Sequence, residues 1–185
     1  MNALLEPSVI EALYQASQAG VEIDLIVRGV SILRPGVKGL SDRIRVRSIV
    51  GRYLEHSRIF HFANGGDDEI FLGSADWMPR NLFERCEVAF PVRDPAAKAR
   101  IHDEILPAYL ADTLKARVQQ SDGTYRRASQ VLKDAPLFSA QDFLMQLSEG
   151  KTEISGIPAP PVVSAAKAKS SQRKVAADKA HAAAD

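Results

Sequence analysis

One cysteine, one tryptophan and an aromatic fraction of only 6% mark this sequence by what is scarce. Cys86 alone cannot form an internal disulfide, and it cannot build a multi-cysteine zinc or iron–sulfur site. No apolar run approaches the roughly 20 residues that a membrane helix needs. Met1 to Pro7 carries no charged leader ahead of a long apolar stretch, so no signal peptide is expected. A cytoplasmic location follows as the expectation, with a place at the membrane periphery left open. Net charge is only +1, from 24 basic and 23 acidic residues, so global basicity does not point to nucleic acid. What is present is a chain of 185 residues, 45% hydrophobic and 25% charged, which suits one folded domain with or without a tail.

Overall neutrality hides an uneven distribution. Before Val162 there are 19 basic and 21 acidic residues, so the body is slightly acidic. Within it, Arg28, Arg34, Lys38, Arg43, Arg45, Arg47, Arg52 and Arg58 face only Asp42 and Glu55, a local excess of +6. Arginine dominates this run, and its planar fork suits phosphate oxygens. A solvated basic face is the plainer reading of the same charges.

Pro7 to Gln18 has helical spacing, with Pro7 suited to the first turn and Gly20 just past the end. Glu22–Val27 is β-rich and runs into the polar corner Arg28-Gly29, a usual place for an α/β protein to hold a ligand. Residues 33–39 form a loop. Ile44–Val50 alternates as a strand with one polar face. Arg58–Phe62 and Glu69–Leu72 are strands joined by residues 63–68, whose Asn-Gly-Gly core predicts a hairpin. Residues 73–81 are too turn-rich for a long element. A further strand is expected over Cys86–Phe90, closed by Pro91. A helix is expected over Pro95–Leu110, kinked or shortened by Pro107. Thr113–Gln119 and Thr124–Arg127 flank a second hairpin turn at residues 121–123. A last helix over Ser139–Leu147 is capped by Ser139 and stopped by Gly150. From Lys151 the sequence turns to proline and then alanine, lysine and serine, too simple to specify packing. The expectation is a mixed α/β domain over 1–150 and a disordered, basic tail over 151–185, serving as a solubilising extension.

Most catalytic motifs are missing. Residues 36–41 contain glycine, lysine and serine without the Walker spacing, and there is no G-x-S-x-G elbow, no H-E-x-x-H and no histidine pair at metal-ligand spacing. His102 and His181 carry no chemical signal, and His61, between Phe60 and Phe62, reads as an outward strand residue. His56 differs because the expected hairpin brings its open end, with His56, Arg58 and Ser74, together. A histidine beside a cation and a hydroxyl can bind phosphate and exchange a proton near neutral pH. A surface histidine at a strand start satisfies the same spacing.

His56-Ser57-Arg58 followed by Gly73-Ser74 resembles a degenerate form of the H-x-K…G-S half-motif of the phospholipase D superfamily. Arginine replaces the usual lysine, and Ala63 stands where an aspartate is usual. More specifically, the chain resembles the C-terminal catalytic domain of the histidine-phosphorylating polyphosphate kinases. The resemblance rests on residues 20–29 (GVEIDLIVRG), 33–36 (LRPG), 44–60 (IRVRSIVGRYLEHSRIF), 64–66 (NGG) and 73–82 (GSADWMPRNL), in order over roughly residues 1–127. It implies an α/β, phospholipase D-like mixed sheet flanked by helices.

The same resemblance implies reversible transfer of the γ-phosphate of ATP to polyphosphate, with magnesium whose ligands lie outside this chain. It further implies that this is the second of two halves, so that the N-terminal, head and first catalytic domains, with the phosphorylated histidine, are missing partners. On the matching motifs, Arg28 and His56 contact the nucleotide phosphates, and His56 serves as the catalytic acid/base partner. Arg58, Ser74 and Arg80 are further lining residues, Trp77 and Asn81 structural ones, and no metal ligand is assigned. Little activity is expected from the chain alone, and a homo-oligomer is left open. Two other readings remain: a polyphosphate-binding module without catalysis that grips through the Arg28–Arg58 run, and a phospholipase D-like diesterase.

Overall fold

The computed structural model describes residues 1–161, and the part of the expected tail from 162 onward lies outside the described residues. The first helix, α1 (Pro7–Gln18), matches its expected bounds. Pro7 sits in its first turn, the Glu6 carboxylate accepts from the Ser8 N–H (3.2 Å), and Gly20 beyond the last turn has φ +99°. Strands β1 (Ile23–Ile26) and β2 (Ile44–Ile49) pair in parallel, with Leu25 opposite Val46. Strands β3 (Ile59–Phe62) and β4 (Glu69–Gly73) form the expected hairpin, with Ile59 opposite Leu72. Its linker folds as a 3-10 turn over Asn64–Gly66, and Asn64 adopts φ +41°. Asparagine tolerates that left-handed backbone because its short amide bonds locally.

The next strand departs from expectation. Cys86–Phe90 was the predicted span, whereas β5 is Ala89–Pro91, pairing Gly73 with Ala89 and Phe71 with Pro91. Proline fits because β5 is an edge strand, where a missing N–H costs no ladder bond. The helical run after it also differs. It comprises α2 (Pro95–Ala99), a π-helical segment over Arg100–Ile105, and α3 (Leu106–Ala111). Pro107 does not end it early. The Leu106 N–H already bonds five residues back to Ile101, so the widened turn absorbs the proline's missing donor. Strands β6 (Ala116–Gln119) and β7 (Tyr125–Arg127) make the second hairpin. A short α4 (Ala128–Val131), unread in the sequence, precedes α5 (Ala140–Ser148), which Ser139 caps by accepting from the Asp142 N–H.

The strands form two sheets, β1-β2-β6-β7 and β3-β4-β5, in a mixed α/β architecture. An apolar cluster packs on each side of the larger sheet. Leu25, Val27, Ile44 and Val46 pack with Leu4, Leu33 and Ile10 of α1 on one side. On the other, Ile49, Ala116 and Val118 meet Ala128, Tyr109 and Leu132. A third cluster joins α3 to α5 through Ala108, Ala140 and Phe143, and Ile157 packs against it. The first residues connect the two sheets. Leu4, fully buried, bridges both Ser31 and Trp77, and Trp77 stacks on Phe60 of β3 at 5.3 Å. That connection places the turn after β4 against the corner after β1.

Candidate functional site

The open end of the β3–β4 hairpin forms one wall of a cleft of about 600 Å³. His56 and Arg58 reach it from the stretch just before β3, Gly73 from the end of β4, and Ser74, Asp76 and Met78 from the turn that follows it. Arg80 and Asn81 come from a wide π turn over Arg80–Glu84, and Arg85 and Glu87 from the stretch before β5. The hairpin register therefore brings together four residues singled out in the sequence, His56, Arg58, Ser74 and Arg80. Arg28 is not among the cleft-lining residues. Its Nη1 donates to the carbonyl of Glu55, immediately before His56, so it touches the backbone that carries the histidine.

The cleft's polar groups divide into paired and unpaired. The Arg58 guanidinium is 9% exposed and forks onto Asp76, with Nε 3.2 Å from Oδ1 and Nη2 2.9 Å from Oδ2. Its remaining nitrogen donates to the His56 carbonyl at 2.7 Å. Asp76 also accepts from the N–H groups of Asn2 (2.6 Å) and Ala3 (3.3 Å). Burial pushes the Asp76 carboxyl up, but the hydrogen bonds from Arg58, Asn2 and Ala3 outweigh it and hold the group below its ordinary value. Arg58 is thus committed to holding the site in shape. Ser74 donates to Glu87 and accepts from the Val88 N–H at 3.0 Å. Glu87 also accepts from Asn81 Nδ2 (2.7 Å) and lies 3.3 Å from Arg85 Nε. The Ser74 hydroxyl, then Asn81, lower its carboxyl from the ordinary value. Among the described residues, Arg80 is the lining cation without a carboxylate at ion-pair distance, and His56 is exposed beside it.

Asp76, Glu87 and Gln141 are contributors that the sequence reading did not assign. Gln141, on α5 and almost fully buried, accepts from the Tyr53 N–H (3.0 Å) and donates to the Tyr53 carbonyl (2.8 Å) and to Glu55 Oε1 (2.5 Å). One amide thereby anchors the irregular stretch 53–55 that precedes His56. The fit is close, since a Cβ on Gly51 would meet Gln141 Oε1 at 2.3 Å. Gln141→Ala should cost about 2 kcal/mol in urea denaturation, because three hydrogen bonds worth about 1 kcal/mol each are lost and partly replaced by water. Amide exchange over residues 53–58 should accelerate at the same time. Unchanged exchange there would contradict the anchoring role.

The arginine run looks different in three dimensions. Arg45 forks onto Asp24 (2.9 and 2.8 Å) and reaches Glu22 (2.5 Å), Arg43 pairs with Glu22, and buried Arg47 lies 3.5 Å from Asp24 and donates to the Leu110 carbonyl. Glu22 and Asp24 stand outside the linear window that counted +6, yet the parallel register sets Asp24 opposite Arg45. Three of the eight cations therefore share the two carboxylates Glu22 and Asp24, and only Arg58 of the eight lines the cleft, so the alternative reading of one broad phosphate-gripping face loses much of its free charge.

Residues 1–141 match the family model described as polyphosphate kinase C-terminal domain 2, a span that contains every cleft-lining residue. The chain belongs to the polyphosphate kinase C-terminal domain family. It is 60% identical over 139 residues to a polyphosphate kinase of Burkholderia vietnamiensis strain G4, covering 74% of this chain and 20% of that protein. To the polyphosphate kinase of Xylella fastidiosa strain Temecula1 it is 56% identical over 146 residues, covering 79% and 21%. The fold superposes on the crystal structure of polyphosphate kinase from Porphyromonas gingivalis with a TM-score of 0.76 at 46% identity, over 82% of this chain and 23% of that one. The chain thus spans about a fifth of the length of these polyphosphate kinases.

Proposed function

We propose that this domain supplies the phosphate-binding wall of a polyphosphate kinase site, which transfers the γ-phosphoryl group of ATP reversibly to polyphosphate (ATP + polyP(n) = ADP + polyP(n+1)). The observation that carries this reading is the 60% identity to a polyphosphate kinase over a stretch that includes His56 and the cleft around it. His56 contacts a phosphoryl oxygen and exchanges a proton with the reacting group. Arg80 supplies fixed positive charge where phosphate oxygens gather, which is most of what phosphoryl transfer asks of a protein. Arg28 acts beside them, holding Glu55 so that the following imidazole faces the cleft, while Arg58 and Ser74 keep the walls in place.

The nucleophilic histidine of this reading belongs to another part of the kinase, and the remaining domains are the partners required for turnover. Magnesium does not fit the cleft's own residues. Both of its carboxylates are engaged, Asp76 by Arg58 and Glu87 by Ser74, Asn81 and Arg85, which leaves no free oxygen set for a hard cation. The ion's protein ligands, on this reading, lie elsewhere. Among the described residues no helix is long and apolar enough to cross a membrane, and a cytoplasmic setting, where ATP is plentiful, goes with the assignment.

Polyphosphate binding by the purified chain tests the wall directly. Binding should be measurable at low ionic strength and weaken as salt screens the cleft. Arg80→Gln should weaken it about tenfold, the worth of one charge-assisted hydrogen bond. No binding at low salt, or binding indifferent to Arg80, would sink the reading.

A further inference from the structure

A second cluster lies at the other end of the same hairpin. His61 on β3, Asp68 in the hairpin linker and His102 in the π-helical segment bring one ligand atom each within 4.8 Å of one another. His61 Nε2 is 3.3 Å from Asp68 Oδ1, and His102 Nε2 is 3.5 Å from Asp68 Oδ2. Both separations exceed the about 2.9 Å of an ordinary N–H···O bond. With Asp68 Oδ1 as the ligand oxygen, its 3.3 Å to His61 matches the roughly 3.3 Å between neighbouring ligand atoms on a tetrahedral ion with bonds of about 2.0–2.1 Å.

Two further observations point to a ligand. The Nε2 of His61 is buried and has no hydrogen-bond partner. Asp68 Oδ1 stands 3.3 Å away without completing a hydrogen bond, and a buried ring nitrogen in that position is costly unless something else engages it. On His102 the opposite ring nitrogen, Nδ1, lies 2.6 Å from Asp103 Oδ1. An Nδ1–H donated to a carboxylate fixes the tautomer whose Nε2 lone pair faces Asp68, the support that metal-bound imidazoles usually have. The two rings meet edge to face at 69° with centroids 5.3 Å apart, so their edges converge and do not stack. Side-chain exposures of 27%, 32% and 46% leave one side open for water.

We propose that His61, Asp68 and His102 form a binding site for a divalent transition-metal ion of the zinc type, with water completing its coordination. Two imidazoles and one carboxylate suit a borderline ion and not Mg²⁺, which prefers oxygen ligands. Because His61 and Asp68 belong to the hairpin and His102 to the helical run, the bound ion clamps the hairpin tip onto those helices. The site shares no residue with the His56 cleft, and its test needs no kinase activity.

The full chain, stripped with chelator, should be titrated with Zn²⁺ and Co²⁺ near neutral pH in the presence of millimolar Mg²⁺. One equivalent should bind per chain, Co²⁺ should give visible bands of a low-coordinate site, and saturating Zn²⁺ should raise the melting temperature. His61→Gln, Asp68→Asn and His102→Gln should each weaken Zn²⁺ binding at least about tenfold, and Asp103→Asn, which removes only the support, about tenfold. His181→Gln and Cys86→Ser should leave it unchanged. Circular dichroism checks that each variant stays folded, and the Asp103 variant keeps the test intact if a ligand variant does not. Absence of stoichiometric binding, competition by Mg²⁺, or dependence on His181 or Cys86 instead of His61 and His102 would overturn the site. So would full Zn²⁺ affinity in both histidine variants, which would leave only a histidine–aspartate ion pair.

Discussion

In an active kinase containing this domain, His56→Ala is expected to lower kcat by about 10²–10⁴-fold, the range for losing a positioned proton donor or acceptor. His56 is exposed in the cleft, its carbonyl held by Arg58 and the preceding carbonyl held by Arg28. Substitution should therefore remove chemistry without disturbing the fold. His56→Gln distinguishes two contributions. If the imidazole only hydrogen-bonds phosphate, glutamine restores most of the rate and the loss in alanine appears mainly in KM. If it carries a proton, glutamine is as poor as alanine and the loss is in kcat. Arg28→Ala should lower kcat less than His56→Ala, because its visible contact is with the Glu55 backbone. Steady-state rates of all three variants, beside their urea midpoints, check this ordering.

The largest stability effect is expected at the Arg58–Asp76 pair. Both side chains are less than a tenth exposed and bond in two-point geometry. Asp76→Asn leaves the Arg58 charge buried without its counter-charge, which should cost about 3–5 kcal/mol. It also weakens the acceptor that holds the Asn2 and Ala3 N–H groups, and through them the segment linking the two sheets. An apolar double replacement, Arg58→Met with Asp76→Leu, should recover most of that loss, since no charge is then stranded. Stability should also depend on pH in one direction. The folded Asp76 carboxyl titrates below its ordinary 3.8, so its contribution is fully present above that value and is lost as pH falls through the lower folded value. Urea titrations of the three proteins at neutral pH, repeated on the parent in acid, give the comparison. A loss under about 1 kcal/mol for Asp76→Asn would show that the pair is not tightly coupled to folding.

Much of the scaffold was legible because its signals are local. Pro7 at a helix start and Gly20 past its end bound α1, and Asn64-Gly65-Gly66 between two apolar strands sets the hairpin register that brings His56, Arg58 and Ser74 to one end. Apart from the local turn that absorbs Pro107 and the short α4, the failures are matters of contact between residues apart in sequence. Residues 86–88 looked like strand, but Glu87 turns into the cleft to meet Ser74 and Asn81, and pairing with β4 begins only at Ala89. Gln141 gives no hint of its role because its partners Tyr53 and Glu55 lie 88 and 86 residues earlier. The basic run looked unopposed because the counted stretch began at Arg28, just after Glu22 and Asp24, and only the β1–β2 pairing shows those carboxylates set against Arg45 and its neighbours. His61 and His102 are 41 positions apart, so their convergence on Asp68 needed the fold.

If this domain is one wall of a polyphosphate kinase site, as proposed, its phosphorylated residue has to come from another part of the enzyme. ATP-dependent polyphosphate synthesis by the purified chain tests it most directly. The assay is run with and without a polypeptide covering the four fifths of the related kinases that this chain does not span. Synthesis is expected only in the supplemented reaction, abolished or strongly reduced by His56→Ala. Robust synthesis by the chain alone, or supplemented synthesis indifferent to both His56→Ala and Arg28→Ala, would contradict it.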